Sequence, residues 1–385
     1  MAGKYSSIIF AVTGVIVGYV SWGISPALIP FSIALVYLYG MTETRISAFL
    51  LLLGYFLCAT RGMIGGTINY YDGSPALAAG FWVAASIGFV GIYTLVWRKD
   101  RKHRTFGFLL GLLLLAIPPF GIIGYVSPLT SAGMLFPNAG FIGLGLIICL
   151  LALCVYLKPK QLWKAALPFA LISAGLNITN SHTLAIDNWQ AVRTNTAFVP
   201  NSDNFEAHIA IESQADAIIR DSDASNIIFP ESTIKVLTDE TGFIWTLYAR
   251  QNEKTVYAGG QKVIDDKYYN TVIRFAPREP PEVVYKQRMP VPFSMWRPWS
   301  DESIEATFFD TPVFDDGNRK IGFLICYEQL LVWPFIQSRL AGADTYVGIA
   351  NHWWFADTTV PLIEEHSLIA WSRLFGAKLE SSINI

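Results

Sequence analysis

The eight residues Ile321-Gly322-Phe323-Leu324-Ile325-Cys326-Tyr327-Glu328 decide the fold class of the second half of this chain. The apolar run 321–325 predicts a buried strand, and the apolar spacing of 329–340 predicts a helix after it. A strand-to-helix turn can hold a side chain beside backbone N–H groups, which lower a thiol pKa and bind an oxyanion. Cys326 is therefore a candidate nucleophile; the alternative is an inert buried cysteine, which is common for a lone cysteine.

Short strand-like runs alternate with helical patterns on both sides of this turn, which indicates one α/β or layered α+β domain. The Pro-rich stretch Arg278–Ser300 predicts an irregular loop. The predicted strands are 191–198, 226–229, 243–249, 271–275, 282–286, 321–325, 345–350 and 379–383, and the predicted helices are 203–220, 329–340 and 361–375.

Two more side chains with chemical potential stand at strand ends in the same half. Glu231 follows an apolar run at the sheet edge where the sites of α/β proteins collect, and it could take a thiol proton. The alternative for Glu231 is an acid near a helix N-terminus. Lys286 ends another strand and could stabilise an oxyanion, but a lone lysine is more often an ordinary surface residue. No spacing of the His-Glu-x-x-His type occurs, so we expect no metal and no cofactor.

The first half of the chain has a different composition. Hydrophobic residues make up 52% of the 385 residues and charged residues only 15%, against about 25% in soluble proteins. Residues 1–180 carry 11 Lys and Arg against 3 Asp and Glu, whereas residues 181–385 carry 17 against 27. This composition excludes a disordered or fibrous chain, and neither half has the basic face that would suggest direct nucleic-acid binding. We predict a membrane domain over 1–180 and an acidic water-exposed domain over 181–385.

Seven apolar segments in the first half approach the length that a bilayer requires. With Lys4 in the cytoplasm, the loops on that side hold Arg45, the basic run 98–104 and Lys158, Lys160 and Lys164, as the positive-inside rule expects. Seven crossings then place the second half outside the inner membrane, which in a Gram-negative cell is the periplasm. The segments are 8–23, 25–40, 46–60, 76–97, 105–125, 138–157 and 165–178.

Three ordered motifs resemble the Glu, Lys and Cys blocks of the nitrilase superfamily. They are Phe229-Pro230-Glu231-Ser232, then Tyr285-Lys286 with Val291-Pro292-Phe293, and Ile325-Cys326-Tyr327-Glu328. The segment Asn351-His352-Trp353-Trp354-Phe355, with His366 after it, resembles the apolipoprotein N-acyltransferase branch, which has a multi-span membrane domain. In length and layout the chain is similar to the shorter TraB conjugal transfer proteins.

The resemblance implies a polytopic α-helical membrane domain followed by an α/β nitrilase-like αββα sandwich. It implies that Cys326 forms a thioester, with Glu231 as the base and Lys286 as the oxyanion stabiliser. Supporting or substrate-binding residues would be Tyr327, Glu328, Trp354 and His366. The implied protein is a thiol acyltransferase or amidase that acts on a phospholipid or a membrane-anchored protein, in conjugal transfer or in maturation of an envelope or pilus component.

Two other classes of function stay open beside the enzyme. The acyltransferases carry Phe-Gly-Glu where this chain has Phe293-Ser294-Met295, so a carboxylate near the lysine is missing. Because of that difference, the hypothesis of a non-catalytic conjugation assembly factor with a nitrilase fold stays open. A transporter is disfavoured, because the apolar segments contain almost no charged residues that could form an ion path.

Overall fold

The computed structural model describes residues 2–71, 73–180, 185–195 and 205–385. Among these residues the helices lie mostly in the first half, and the strands lie entirely in the second. The α-helices are α1 Ala2–Ser21, α2 Ile33–Met41, α3 Arg45–Ala59, α4 Gly62–Tyr71, α5 Pro75–Val96, α6 Arg101–Ala116, α7 Ser131–Leu135, α8 Gly140–Tyr156, α9 Pro159–Thr179, α10 Phe205–Asp221, α11 Asp239–Gln251, α12 Trp333–Leu340 and α13 Val360–Phe375. The strands are β1 Trp189–Ala191, β2 Arg193–Thr194, β3 Asn226–Ile228, β4 Ile234–Val236, β5 Thr255–Ile264, β6 Lys267–Phe275, β7 Glu282–Lys286, β8 Phe314–Asp315, β9 Lys320–Ile325, β10 Thr345–Asn351 and β11 Lys378–Asn384.

The chain forms two compact units. The helical unit contains α1–α9 together with the segments Leu330–Ile336 and Asp357–Ala377, and the α/β unit contains the strands with α10 and α11. A helical first half and an α/β second half are as predicted. The division into two contiguous domains at residues 180 and 181 stays a prediction.

Local signals in the sequence explain where the long helices of the first half begin and end. Thr44, Ser74 and Asp100 cap α3, α5 and α6, each accepting a hydrogen bond from a backbone N–H in the first turn. Helix α6 ends at Ala116, nine residues before the end of the predicted segment 105–125. Pro118-Pro119 explains this end, because proline lacks the N–H that would continue the helix.

Among the described residues of the helical unit, two helices are long and apolar enough to cross a membrane, α5 and α9. Helices α3 and α4 meet the same test as a pair, with a bend of 57° between them, and would make a third candidate span. Shorter apolar helices lie at 7–21, 26–41 and 140–156. None of the residues of helix α9 is buried.

Helix α13 packs closely against α7 within the helical unit. At Gly133 the two backbones approach so closely that a Cβ atom would lie 1.6 Å from the carbonyl oxygen of Ala370. Asn138 donates its N–H to the Arg373 carbonyl at 2.7 Å, and the Arg373 guanidinium donates to the Asn177 side chain at 2.8 Å. These contacts explain why α13 belongs to the helical unit although β10 and β11 flank it in the chain.

The α/β unit is built on two sheets that share one core. Sheet A has the strand order β1-β3-β5-β6-β7, with β4 beside β5, and sheet B has the order β2-β11-β10-β9-β8. Side chains from the facing sides of both sheets, including Tyr257 and Tyr285 of sheet A and Phe323 and Val347 of sheet B, form one buried cluster. In β3, Ile228 joins this cluster while Ile227 points the other way, as the two-residue period of a strand requires.

Helices α10 and α11 cover the outer face of sheet A. Ala215 and Ile219 of α10, and Trp245 and Ala249 of α11, pack with Ile227 and Ile273. The prediction of a strand over 243–249 is therefore wrong. Thr238 caps α11 by accepting from the N–H of Thr241, whose hydroxyl in turn accepts from the N–H of Thr238. The residues buried in α11 recur every three or four positions, so the period is helical.

The other predicted elements fall close to the observed ones. The strands predicted at 226–229, 271–275, 282–286, 321–325, 345–350 and 379–383 correspond to β3, β6, β7, β9, β10 and β11, and the three predicted helices to α10, α12 and α13. Part of the strand predicted at 191–198 lies outside the described residues. Strand β5 was not predicted, because Gly259 and Gly260 interrupt its apolar pattern.

Candidate active site

Cys326 occupies a strained turn at the C-terminal end of β9. Its φ is +48°, a left-handed conformation that is uncommon for a residue with a side chain. The chain continues directly into a 3₁₀ turn over Cys326–Leu330, and the side chain is 5% exposed. Residues held in such sparsely populated conformations cluster at functional sites.

The buried side chain of Glu328 holds this turn in place through hydrogen bonds. Its carboxylate is fully buried and accepts the N–H of Ile325 at 2.8 Å, the N–H of Arg288 at 2.8 Å and that of Met289 at 3.2 Å. The Tyr285 hydroxyl donates to it as well, at 2.8 Å. The same carboxylate therefore joins the end of β9 to the chain just after β7.

Burial shifts the pKa values of Glu328 and Tyr285. It raises the pKa of Glu328, and the Arg288 guanidinium, 3.8 Å from the carboxylate, acts in the opposite direction. Burial also holds the pKa of Tyr285 far above its ordinary value, so the phenol stays neutral and donates its hydrogen. The Arg288 guanidinium is itself completely buried and donates to Tyr285, Gln337 and Ser338.

Glu231 lies in the turn after β3, and both oxygens of its carboxylate are held. Oε1 accepts from the Asn270 side chain of sheet A at 2.7 Å, and Oε2 accepts from the N–H of Asn351 of sheet B at 3.0 Å. The side chain is 6% exposed. Gly259 makes room for the turn, because a Cβ atom there would lie 2.5 Å from the Cα of Glu231.

A chain of amide hydrogen bonds leads from Glu231 to the residue before Cys326. The Asn270 side chain also donates to Gln287 Oε1 at 3.0 Å, and Gln287 Nε2 donates to the carbonyl of Ile325 at 3.0 Å. All of these groups are buried. The structure thus links the predicted base to the strand end that presents the predicted nucleophile.

Lys286 lies on a different face of sheet A. It pairs across the ladder with Thr271, and its ammonium lies 4.5 Å from the centre of the Tyr269 ring. Side chains alternate along a strand and cross-strand pairs share a face, so Lys286 lies on the side of Tyr269 and Thr271. The side that carries Asn270 and Gln287 is the opposite one.

The three remaining predicted site residues are placed as follows. Tyr327 is partly exposed in the 3₁₀ turn after Cys326. Trp354 of the α/β unit is partly exposed and contacts Phe355, with ring centroids 3.9 Å apart. His366 belongs to the helical unit, on the buried side of α13, and burial lowers the pKa of its imidazole.

Sequence reasoning assigned no role to Asn270, Gln287 or Asn351, although Asn351 begins the segment that resembles the acyltransferase branch. Each is a buried polar residue in or beside a strand whose other buried positions are mostly apolar. A polar side chain in such a place needs a hydrogen-bond partner, and this signal could have indicated Asn270 and Gln287, whereas Asn351 contacts Glu231 through its backbone N–H.

The arrangement is suited to thiol chemistry. It combines a carboxylate with fixed geometry, a cysteine at a strained strand end and a buried amide network between them. A carboxylate can act as a general base and a thiolate as a nucleophile toward a carbonyl carbon.

Comparison with known proteins identifies relatives over nearly the whole chain. A probable conjugal transfer protein TraB of Sinorhizobium fredii is 32% identical over 98% of this chain and 97% of its own length. A conjugal transfer protein TraB of Agrobacterium fabrum is 31% identical over 96% of this chain and 90% of its own length. No family model matches the chain.

Two solved structures align with half of the chain, each with a TM-score of 0.38. One is Nit3 of Saccharomyces cerevisiae, a nitrilase-superfamily member, at 14% identity over 73% of its length. The other is an amidase of that superfamily from Nesterenkonia, at 12% identity over 74% of its length. The full-length relatives carry the assignment, and by their identity and coverage the chain belongs to the family of TraB conjugal transfer proteins.

Proposed function

We propose that this protein is a membrane-bound thiol acyltransferase or amidase of the nitrilase type. Cys326 is the nucleophile and Glu231 is the general base. The observation that carries the proposal is the clamped carboxylate of Glu231, joined through Asn270 and Gln287 to the peptide group that precedes Cys326. A cysteine with no chemical role would need neither a strained turn nor a nearby carboxylate, here that of Glu231, fixed by a hydrogen-bond donor from each sheet.

The proposed reaction has two steps, acylation of Cys326 and then transfer of the acyl group to an amine or to water. The thiol proton of Cys326 moves to Glu231 as the sulfur attacks an acyl carbonyl, whose π electrons move onto the oxygen. The oxyanion collapses, and the leaving alcohol or amine takes the proton from Glu231, which leaves a thioester. An amine or water then attacks the thioester, gives its proton to Glu231 and releases the thiol with that proton.

The proposed substrate is a lipid or a membrane-anchored protein. An apolar helical first half with two to three candidate spans supports work at a membrane surface. We place seven spans in the bacterial inner membrane and the α/β unit in the periplasm, because basic residues concentrate in alternate loops. The names of the relatives support a role in conjugal transfer, with the conjugation machinery as partner, in maturation of an envelope or pilus component.

The first experiment is intact mass spectrometry of the full chain purified from membranes after incubation with phospholipid. The expected result is a hydroxylamine-labile mass increase of fatty-acyl size on the wild type that disappears in Cys326→Ala. Cys149→Ala is the matched control, because Cys149 is the exposed free cysteine on apolar helix α8. An adduct that persists in Cys326→Ala, or no adduct with phospholipid and no acylation by a simple ester, refutes the acyl-enzyme.

A second candidate function is a non-catalytic assembly factor for conjugation. The position of Lys286, on the face of sheet A opposite to Asn270 and Gln287, favours it. In that case Cys326→Ala and Cys326→Ser would both support wild-type conjugation frequency, at wild-type levels of the protein in membranes.

A further inference from the structure

Two neighbouring polar residues at the end of β7 point to opposite sides of sheet A. Tyr285 belongs to the core between the sheets, and Lys286 pairs with Thr271 on the other face. Gln287 follows with its side chain buried and bonded to Asn270, which shares the inner face with Val272. The residue that β7 presents to the Glu231 and Cys326 site is therefore Gln287.

Hydrogen bonds fix the amide of Gln287 in one orientation. Oε1 accepts from Asn270, so the opposite end must be the nitrogen, and Nε2 donates to the Ile325 carbonyl. An amide nitrogen carries two hydrogens, and this bond uses one of them. Among the described residues no other acceptor bonds Nε2, and the peptide group that it touches is the one directly before Cys326.

We propose that Gln287, and not Lys286, donates a hydrogen bond to the oxyanion formed when Cys326 attacks an acyl carbonyl. This inference rests on the proposed function and assigns the donor in the same site. The second N–H of Gln287 Nε2 donates a hydrogen bond to the oxyanion, and the amide keeps both of its protons throughout the reaction. A neutral donor replaces the ammonium that the sequence pattern predicted at Lys286.

Asn270 is the positioning residue of this arrangement. Its two amide hydrogens go to Glu231 Oε1 and Gln287 Oε1, so one side chain orients both the base and the oxyanion donor. A donor held in advance toward the developing charge is worth most when it need not reorganise during the reaction.

Two reactions of Cys326 separate the donor from the base. Acylation by a p-nitrophenyl ester forms the thioester, releases p-nitrophenol and passes through an oxyanion. Alkylation by iodoacetamide forms a carbon–sulfur bond, expels iodide and involves no oxyanion. The variants Gln287→Met and Lys286→Met place the same unbranched side chain at adjacent positions on the two faces, and both are measured in the full chain in mild detergent.

For Gln287→Met we expect acylation to fall about 100-fold, the effect of one lost oxyanion donor, while alkylation stays within about threefold of wild type. Lys286→Met should keep both rates within about threefold of wild type, because its ammonium is not the donor. Gln287→Lys should acylate faster than Gln287→Met, since it returns a donor of similar reach. A merely structural Gln287 would lower alkylation and acylation together and would not be rescued by lysine.

The opposite ranking of the variants would overturn the proposal. If Lys286→Met slows acylation about 100-fold while alkylation is kept, Lys286 is the oxyanion donor. This variant changes a partly exposed residue, so the test of Lys286 holds even if Gln287→Met does not fold. A wild-type protein that alkylates at Cys326 but is never acylated overturns the proposed function itself, and the role of Gln287 with it.

Discussion

Replacing Glu328 by glutamine should destabilise the protein strongly although it changes only one oxygen. Oε1 accepts from the backbone N–H groups of Arg288 and Met289 and Oε2 from that of Ile325, while the Tyr285 hydroxyl bonds both. Glutamine has one oxygen and one NH₂ group, so at least one backbone N–H would face a donor. The Arg288 guanidinium would also lose its buried countercharge.

The least costly orientation of the new amide sets the magnitude. It keeps the oxygen toward Arg288 and Met289 and turns NH₂ toward Ile325, so one buried N–H loses its acceptor. Breaking a buried ion pair by removing one partner costs about 3–5 kcal/mol, and this figure includes the charge left behind. For a unit of this size each kcal/mol lowers the melting temperature by about 2–4 °C, so we expect a drop of at least about 6 °C.

The assay is thermal unfolding of the full chain in mild detergent, followed by tryptophan fluorescence. Glu380→Gln is the matched control, because Glu380 is partly buried and accepts one backbone N–H, from Ile186 at 3.2 Å. A glutamine oxygen can still accept that bond, so the control should cost below about 1 kcal/mol. If Glu328→Gln melts within 2 °C of Glu380→Gln, roughly the effect of 1 kcal/mol, the buried carboxylate of Glu328 does not stabilise the fold through these hydrogen bonds.

Three further predictions concern other parts of the chain. Gly259→Ala should displace Glu231, because the new Cβ would lie 2.5 Å from the Cα of Glu231, and should abolish acylation of the cysteine; Gly175→Ala, whose Cβ would meet no atom of the other described residues within 4 Å beyond its own helix backbone, should be silent. His366 has a pKa lowered by burial, so the unfolded chain binds more protons and stability should fall as the pH drops below about 6.5. His366→Gln should reduce the loss of melting temperature between pH 7.5 and 5.5, and an equal loss in both proteins would contradict the assignment. Alkaline phosphatase fused after Ile385 should be active, whereas an inactive fusion that is bright with a cytoplasmic reporter would refute the periplasmic placement.

The sequence was informative where one signal dominated. Apolar runs bounded by polar residues predicted β7, β9, β10 and β11, and the strand-to-turn position of Cys326 was visible in the eight residues 321–328. It failed where signals competed. The aromatic residues of 243–249 favour a strand, but the Thr238 cap and the burial of Trp245 and Ala249 make a helix.

The site shows the limit of reading motifs along the chain. The pair Lys286-Gln287 lies at the end of strand β7, and a shift by one residue moves a side chain to the other face of the sheet. The bulge that sets this register lies between Val272 and Ile273, whose partners Tyr285 and Val283 are on the neighbouring strand, so the pairing cannot be read from the Lys286-Gln287 stretch alone. Asn270 and Asn351 belong to different sheets, so their common partner Glu231 emerges only from the packed sandwich.

The two donors to Glu231 have a consequence for how this centre could come into being. Apart from the short β1 and β2, sheet A is built from residues 226–286 and sheet B from residues 314–384, and the carboxylate takes one hydrogen bond from each. Neither sheet alone supplies both contacts, so Glu231 is fully oriented only once the two sheets have packed together. In a chain emerging residue by residue from the ribosome, Glu231 is synthesised some 120 residues before Asn351, the partner that completes its second contact. The thiol at residue 326 therefore exists before its base is fully aligned, and reactivity should be the last property that the maturing protein acquires.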